Sequence, residues 1–238
     1  MTPPIVSARN LRRVYGEGGA AVVALDDVSV DFPAGKFTAI MGPSGSGKST
    51  LMHLLAGLDR PTSGTVVLDG VDLSELDDDK LTELRRDRVG FVFQAFNLLP
   101  VLNARENILL PQRIAGVKPD EEWVDRLVEL VGLTDRMSHR PSELSGGQQQ
   151  RVAVVRALAA RPAVVFADEP TGNLDSRSST EILELLRRSV DELGQTIVMV
   201  THDDEAAAYA DRLLILRDGR IVEDRDTSDA APAAARQA

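Results

Sequence analysis

The sequence contains a glycine-rich segment whose residue types and spacing can bind phosphate groups. It reads Gly42-Pro43-Ser44-Gly45-Ser46-Gly47-Lys48-Ser49-Thr50, which matches the pattern G-x-x-x-x-G-K-S. Glycines let backbone N–H groups turn toward phosphate oxygens at the start of a helix. Lys48 can reach the β- and γ-phosphates of a nucleotide, and the Ser49 hydroxyl can bind Mg²⁺. An apolar segment precedes this loop and a helical pattern follows it, so the sequence predicts a nucleotide site rather than a flexible loop at a helix start.

A second glycine-containing segment reads Leu144-Ser145-Gly146-Gly147-Gln148 and precedes a helical pattern over 149–160. Ser145 is a good N-cap residue, and the two glycines leave backbone N–H groups free to bind phosphate. By itself this segment is more typical of an ordinary capped helix start. It has no lysine, and one nucleotide does not need both segments from one chain. The second segment therefore requires an explanation.

Polar residues follow three apolar segments that are predicted strands. The segments are 37–41, 163–167 and 197–200, and the residues that follow them are Gly42 onward, Asp168-Glu169 and Thr201-His202. Apolar residues at successive positions predict strands that are buried on both faces of a parallel sheet. Parallel sheets place ligands at the carboxyl ends of their strands. We therefore expect the three strand ends to meet at one site.

Two carboxylates and a histidine at these strand ends have the chemistry for hydrolysis of a phosphate bond. Asp168 is predicted to hold the metal ion through water, and Glu169 to orient or deprotonate the water that attacks the γ-phosphate. Asp-Glu at a strand end is otherwise typical of a helix cap or a surface charge, and a single His is more often structural. Their position beside a phosphate loop favours the catalytic interpretation for Asp168, Glu169 and His202.

The functional assignment of two further residues depends more strongly on the motifs around them. Gln94 follows the short apolar segment 90–93, and its side-chain amide can contact both Mg²⁺ and the attacking water. Tyr15 can stack on a nucleotide base, an interaction worth roughly 1–3 kcal/mol. A single Tyr is more often a packing residue, and a single Gln carries little weight alone.

The alternation of short apolar segments with helical patterns predicts an α/β fold with a largely parallel sheet. Asp69-Gly70 and Asp218-Gly219 each lie between apolar segments and predict tight hairpins. Charged helical patterns over 74–88 and 104–136 predict a helical insert in the α/β core. The Ala- and Asp-rich residues after Asp224 have little apolar bulk and are predicted to be disordered.

Composition limits the classes of function. The 238 residues include 27 basic and 37 acidic side chains, a formal net charge of -10, which argues against binding along a nucleic-acid backbone. Cys is absent, which excludes disulfides and Cys-based zinc sites. No apolar run approaches the ~18 residues that span a bilayer, and Met1-Thr2-Pro3-Pro4 lacks the features of a secretory signal. We expect a soluble cytoplasmic chain, for which another polypeptide would have to supply any membrane-spanning helices.

Taken in order along the chain, these motifs resemble the ATP-binding subunit of ABC transporters: the phosphate loop, Gln94, Leu144-Ser145-Gly146-Gly147-Gln148, Asp168-Glu169 and His202. The resemblance covers roughly residues 5–223 as one domain, followed by the tail at 224–238. It implies a P-loop NTPase (RecA-like) fold with a mostly parallel sheet core, an antiparallel β subdomain and a helical subdomain over roughly 95–150. It also implies that the chain binds ATP and Mg²⁺.

The resemblance implies a role for each matching residue. Glu169 matches the general base, His202 the residue that senses the γ-phosphate, and Gln94 the loop that links the metal site to a membrane partner. Asp175 matches the loop that crosses a dimer interface. The residues implied to bind magnesium are Ser49, Gln94 and Asp168, and those implied to bind nucleotide are Tyr15, Gly42, Pro43, Ser44, Gly45, Ser46, Gly47, Lys48, Ser49, Thr50, Ser145, Gly146, Gly147, Gln148 and Asp175.

Three longer segments, Gly57–Gly64, Phe91–Pro100 and Glu169–Asp175, are similar to the subfamily of lipoprotein-release, macrolide-export and cell-division ATPases. Members of this subfamily work with permeases that have few membrane helices and a large extracytoplasmic domain, and some transmit force instead of moving a substrate. Asn103-Ala104 and Val155 depart from the usual residues of the subfamily, but neither is a catalytic position.

The resemblance implies a head-to-tail homodimer with two ATP molecules, each between the 42–50 loop of one chain and the 145–148 segment of the other. This dimer would power a separate permease, in export or extraction, at the inner face of the cell membrane. A force-transmitting regulator with the same ATPase cycle is one alternative. A soluble ABC-type ATPase acting on DNA or ribosomes is another, but such proteins usually have two ATP domains, long coiled coils or zinc-binding cysteines. The transported substrate is not encoded here, because the permease would recognise it.

Overall fold

Residues 3–227, which a computed structural model describes, are arranged in two β-sheets with helices packed against them. The strands are β1 Pro4–Tyr15, β2 Val22–Pro33, β3 Phe37–Met41, β4 Ser63–Leu68, β5 Val71–Asp72, β6 Val89–Phe93, β7 Val164–Asp168, β8 Ile197–Val200, β9 Arg212–Arg217 and β10 Arg220–Asp226. The α-helices are α1 Lys48–Leu55, α2 Asp78–Arg88, α3 Ala104–Ile114, α4 Glu121–Leu130, α5 Gly146–Ala159, α6 Ser176–Leu193 and α7 Asp204–Ala207.

The larger sheet has the strand order β10-β9-β3-β8-β7-β6. Its pairs from β9 to β6 are parallel, and only β10 runs antiparallel to its neighbour within the described residues. The carboxyl ends of β3, β7 and β8 therefore lie at the same edge of the sheet. The predicted α/β fold with a mostly parallel sheet is confirmed.

Both faces of this sheet are buried, and its central strands β3, β7 and β8 are apolar at nearly every position. The exceptions are Thr38, which is buried, and Asp168 at the end of β7. In β7, Val165 and Ala167 pack into the core that contains α3 to α6. Val164 and Phe166 face the opposite core, which contains α1, α2 and the second sheet. Successive side chains of a strand point to opposite faces. A strand with helices on one side and two helices and a second sheet on the other thus needs apolar residues on both faces.

The second sheet is antiparallel and has the strand order β2-β1-β4-β5. The β4–β5 hairpin turns at Asp69-Gly70 and the β9–β10 hairpin turns at Asp218-Gly219, as predicted. Asp69 and Asp218 both have a φ of 48°. This left-handed backbone is one that the Asp-Gly pair tolerates well in tight hairpins.

Helices α3 and α4 follow β6 and precede β7 in the sequence, and they pack with α5 into one apolar core. A capping box formed by Asn103 and Glu106 starts α3, and the side chain of Asp120 accepts from the backbone N–H of Trp123 at the start of α4. Each cap satisfies N–H groups that have no partner inside the helix. The helical pattern predicted over 104–136 is therefore present, whereas the division into a core and a helical subdomain over roughly 95–150 stays a prediction.

The tail after Asp224 was predicted to be disordered, but residues 225–227 belong to the ordered part of the chain. Strand β10 continues to Asp226, and the guanidinium of Arg212 binds the Asp224 carboxylate at 2.6 Å. The backbone N–H of Thr227 donates to the carbonyl oxygen of Asp211 at 2.8 Å. Pairing with β9 thus orders residues that have no apolar bulk of their own. The rest of the predicted tail, 228–238, lies outside the described residues.

No helix within residues 3–227 has the length and apolar character needed to cross a bilayer.

Candidate functional site

The 42–50 loop connects β3 to α1 and is held by glycines in left-handed conformations. Gly42 has a φ of 151°, Gly45 of 78° and Gly47 of 102°. A Cβ atom at Gly42 would lie 2.1 Å from the carbonyl oxygen of Leu216, and one at Gly47 would lie 2.4 Å from that of Ala24. Only glycine fits at these two positions, since backbone from β9 and β2 packs directly against the loop.

The Lys48 side chain of this loop has the chemistry to bind an anion. Its ammonium donates hydrogen bonds to the carbonyl oxygens of Gly42 at 2.7 Å and Pro43 at 2.9 Å. Together with the N-terminus of α1, this ammonium suits the oxygens of a phosphate. The Ser46 hydroxyl oxygen, by contrast, is buried beneath the surface and has no hydrogen-bond partner among the described residues.

The two acidic residues after β7 have different surroundings. Oε1 of Glu169 lies 2.8 Å from Nδ1 of His202, at the end of β8. The pKa of His202 is raised, chiefly by this hydrogen bond. Burial raises the pKa of Asp168, and electrostatic interactions with His53 and Lys48 oppose this increase. Asp168 is thus a partly buried carboxylate within electrostatic reach of the loop lysine, as a metal-holding group requires.

A cavity of about 640 Å³ opens beside the loop. Residues 22–24 of β2, most of 42–50, Glu169, Val200 and His202 line it. The structure therefore brings Lys48, Ser49, Glu169 and His202 to one site, as expected from the meeting of the strand ends. We refer to it as the phosphate-loop cavity. Its volume is in the range of cofactor and small-molecule pockets.

Gln94 is bound to a second loop rather than to the cavity. Its Nε2 donates to Oδ1 of Asn173 at 3.0 Å, and Nδ2 of Asn173 donates to the backbone oxygen of Gln94 at the same distance. A Cβ atom at Gly172 would lie 2.8 Å from Nε2 of Gln94. The Gln94 loop and the 172–175 loop thus fit closely against each other.

The 145–148 segment caps α5. The backbone N–H of Gln148 donates to the Ser145 hydroxyl at 3.3 Å, and Oε1 of Gln148 accepts from the backbone N–H of Ser145 at 3.0 Å. This reciprocal capping box fixes the segment at the start of the helix. Among the described residues, none from 145–148 lines the phosphate-loop cavity.

Tyr15 and Asp175 also lie outside this cavity. The Tyr15 hydroxyl donates to Asp59 at 2.8 Å, and the guanidinium of Arg13 lies 4.4 Å from the centre of its ring. Asp175 is the N-cap of α6, where its carboxylate accepts from the backbone N–H and hydroxyl of Ser178 at 2.9 and 2.8 Å. These bonds lower the pKa of Asp175. The roles of both residues in nucleotide binding stay predictions.

The comparisons with known proteins agree with this arrangement. A sequence model of the family described as ABC transporter matches residues 25–172 of the chain. The chain belongs to the ABC transporter family. It is 48% identical over 233 residues to a macrolide export ATP-binding/permease protein, MacB, of Hyphomonas neptunium, which covers 97% of this chain and 36% of that protein. The chain thus spans about a third of the length of such relatives.

Other members of the family match over nearly their whole length. The chain is 44% identical over 223 residues to an uncharacterized ABC transporter ATP-binding protein, MJ0796, of Methanocaldococcus jannaschii, covering 91% of this chain and 95% of that protein. A dimeric structure of a post-hydrolysis state of the MJ0796 cassette bound to ADP and Pi superposes with a TM-score of 0.83 at 42% identity, covering 93% and 98% of the two chains. CbiO1 of Clostridium perfringens superposes with a TM-score of 0.84 at 28% identity, covering 96% and 91%.

Two groups of site residues were not predicted from the sequence. Val22, Val23 and Ala24 line the cavity. They lie on β2, whose pairing with β1 has several register shifts, so the sequence shows no regular alternation of apolar and polar residues there. Asn173 binds Gln94 from the 172–175 loop, where a role was expected for Asp175 alone. The pairing of the two amide side chains is a tertiary feature that sequence spacing does not report.

Proposed function

We propose that this chain is the ATP-binding and ATP-hydrolysing subunit of an ABC transporter, and that it acts as a head-to-tail homodimer on a separate membrane permease. The observation that carries the proposal is the separation of two phosphate-binding segments in one chain. The 42–50 loop lines the phosphate-loop cavity, whereas 145–148 does not. A second copy would supply the missing segment. The MJ0796 cassette is dimeric with ADP and Pi bound, which supports a dimer of this chain.

In the proposed site the chain's own residues bind and orient ATP. Backbone N–H groups of the loop and the Lys48 ammonium hold the β- and γ-phosphates, and Lys48 gives up its two carbonyl partners to do so. Val22 and Val23 provide an exposed apolar rim on one side of the cavity, with 62% and 44% of their surface accessible. Such apolar contacts help to exclude water from the bound nucleotide.

Glu169 has the chemistry to act as the general base. Its carboxylate faces the cavity and accepts a proton from the water that attacks the γ-phosphate. His202 orients the carboxylate through the hydrogen bond between Nδ1 and Oε1. Gln94 and Asn173 form an adjoining pair through which a change at a dimer or permease surface can reach the site.

The residues present fit magnesium. Ser49 and Asp168 offer a hydroxyl and a carboxylate, which are hard oxygen ligands that Mg²⁺ prefers. Gln94, whose Nε2 is bound to Asn173, would have to turn toward the loop to add its amide oxygen. Asp168 is within electrostatic reach of Lys48, so its carboxylate lies close to the phosphate loop. A magnesium ion held there with ATP would supply positive charge that stabilises the phosphate groups.

The partner surface is proposed to be the groove between β6 and α3. It has a volume of about 380 Å³ and is lined mostly by apolar residues that include Phe91, Phe93, Leu110 and Ile114. Ile114 is 77% exposed. We propose that a cytoplasmic segment of a permease occupies this groove, which would hold the chain at the inner face of the membrane. Similarity to the macrolide export protein MacB favours export. Extraction, and a permease with a large extracytoplasmic domain, are proposed from the subfamily resemblance of the sequence motifs.

The dimer is tested with the variant Glu169→Gln, which keeps the shape of the side chain but removes the base. With saturating ATP and Mg²⁺ this variant should double its molar mass in multi-angle light scattering, because the trapped ATP closes two copies together. ADP should leave it monomeric. A monomer at saturating ATP and Mg²⁺ contradicts the head-to-tail site.

A further inference from the structure

The side chain of Gln150 joins three segments of the candidate site. It lies on α5, two residues after Gln148, and is fully buried. Its Nε2 donates to the carbonyl oxygen of Phe93 at 3.2 Å and to that of Pro170 at 2.5 Å. Phe93 is the last residue of β6, and Pro170 follows the end of β7 by two residues.

These two carbonyl groups adjoin the predicted catalytic side chains. Phe93 immediately precedes Gln94, and Pro170 immediately follows Glu169. The backbone that carries each of these side chains is therefore bound to the same amide group of Gln150. No other described side chain donates to both segments.

The chemistry of this contact suits an amide, the neutral side-chain group that carries two hydrogens on one nitrogen. Both partners are carbonyl oxygens, so the contacting group must donate two hydrogens at once, as the NH₂ of a glutamine does. The other atom of the amide, Oε1 of Gln150, is buried with no hydrogen-bond partner among the described residues. An unpaired buried acceptor destabilises the fold, because it has lost its water without gaining a donor. Gln150 therefore keeps two donated hydrogen bonds although its own oxygen atom has no partner among the described residues.

Gln150 lies close to the 145–148 segment. With a rise of ~1.5 Å per residue, it lies about 6 Å along the axis of α5 from Gly146, the first residue of the helix. Further along the same helix, the guanidinium of Arg156 donates to the carbonyl oxygens of Asn97 at 2.6 Å and Phe96 at 2.8 Å. Helix α5 therefore binds the backbone around Gln94 on both sides.

We propose that Gln150 is a positioning residue for ATP hydrolysis, which sets the orientation of the 145–148 segment relative to the backbone of Gln94 and Glu169. The inference rests on the proposed function. In a head-to-tail dimer the 145–148 segment of one chain must meet the phosphate loop of the other. If α5 is misaligned, the two chains should close poorly into a dimer. The affinity of each chain's own phosphate loop for nucleotide should not change.

The test compares Gln150→Met with a matched control, Gln112→Met. Gln112 is a second buried amide, 8% exposed, whose Nε2 donates to the carbonyl oxygen of Ala159 at 2.9 Å. Its Oε1 is also without a partner among the described residues. Both variants remove a buried amide that donates to backbone, but Gln112 contacts the far end of α5, away from the catalytic segments.

We expect both variants to lower Tm by similar amounts and to bind a fluorescent ATP analogue within about twofold of the wild type. Only Gln150→Met should lower kcat, by about tenfold to a hundredfold, as a small misplacement of reacting groups does. In the Glu169→Gln background it should also raise the ATP concentration needed for dimerisation. Gln150→Asn keeps both donor hydrogens on a shorter side chain, and should give an intermediate kcat.

A kcat for Gln150→Met within twofold of that for Gln112→Met, with equal dimerisation, overturns the inference. If Gln150→Met does not fold, the Asn variant decides it: a wild-type kcat and wild-type dimerisation contradict the positioning role. The wild type measured in the same series tests the proposed function separately. Its failure to hydrolyse ATP contradicts that function and this inference with it, whereas an active wild type with an unaffected Gln150 variant contradicts the inference alone.

Discussion

Glu169 and His202 share a hydrogen bond of 2.8 Å between Oε1 and Nδ1, which connects the ends of two adjacent parallel strands. Glu169 has a φ of 46°, a left-handed conformation that is uncommon for a residue with a Cβ atom. Its backbone N–H donates to the carbonyl oxygen of Val200 at 2.9 Å. Strain of this kind persists where surrounding structure holds the residue in place, as it does at functional sites. The carboxylate is thereby directed into the phosphate-loop cavity.

Removal of the proposed base should separate binding from hydrolysis. Glu169→Gln should lower kcat for ATP by a factor on the order of 10²–10⁴, the usual contribution of a general base, and should leave ATP affinity within about threefold. Phosphate release and binding of a fluorescent ATP analogue measure the two quantities. Glu205→Gln, a nearby exposed carboxylate on α7, is the control and should keep wild-type kcat. Equal loss of activity in both variants contradicts the assignment of Glu169.

The same hydrogen bond predicts a shifted titration of His202. Its pKa should lie above the ordinary value of 6.5, because the Glu169 carboxylate favours the protonated ring. The protonated ring therefore stabilises the fold fully below pH 6.5, and this contribution is lost as the pH rises through the higher folded-state pKa. Histidine NMR signals, assigned by substitution of each of the three His residues, measure the pKa. Glu169→Gln should lower it, and an unchanged value would falsify the contact.

Close packing behind the phosphate loop predicts that Gly47 is unusually sensitive to substitution by alanine. Gly47→Ala places a Cβ atom 2.4 Å from the carbonyl oxygen of Ala24, so the loop backbone must move. Gly116 has a φ of 67°, and no atom lies within 4 Å of the position that a Cβ would occupy there, so it is the control for backbone conformation alone. Gly116→Ala should cost about 1–2 kcal/mol in the free energy of unfolding and keep ATP affinity. Gly47→Ala should cost more and weaken ATP binding at least about tenfold, measured by thermal unfolding and calorimetry.

The core strands could be predicted from the sequence because burial on both faces leaves an uninterrupted apolar signal. Strands β3 and β8 have the predicted bounds, and β7 is displaced by one residue since Asp168 pairs in register with Val200. Strands β1 and β2 were not located. In β1 the spacing of buried residues changes from two to three between Ala8 and Leu11, where a register shift interrupts the alternation.

Sequence spacing predicted that residues at three strand ends share one edge of the sheet, but not which of the predicted site residues meet in one chain. Lys48 and Glu169 were expected at one edge of the sheet and line one cavity there. Helix α6 was not predicted, although its buried Ile182, Leu185 and Leu186 follow a helical spacing. The role of Gln150 depends on two backbone carbonyl groups from distant segments, and backbone partners leave no pattern in a sequence.

The groove between β6 and α3 predicts a surface whose substitution separates partner binding from ATP chemistry. Ile114→Lys introduces a charge at a 77% exposed apolar position of this groove and should reduce recovery of an integral membrane protein from native membranes at least about fivefold. ATP hydrolysis by the isolated protein should not change. Val71→Lys, at a 40% exposed position on the second sheet, is the control. Equal recovery with both variants excludes the groove as the docking surface.

The separation of the two phosphate-binding segments predicts complementation between two inactive variants. Lys48→Ala disables the phosphate loop, and Gly146→Asp places a negative charge where the other chain's γ-phosphate would lie. Gly146 tolerates a side chain, because a Cβ atom there has only ordinary contacts, 3.5 Å from Leu174 and 3.7 Å from Phe96, and an acidic residue suits the first turn of a helix. In a mixed head-to-tail dimer both defects fall in one site and the other site is intact, so mixing should restore ATPase activity that neither variant has alone. If each chain held a complete site, the mixture would stay inactive at every ratio of the two proteins.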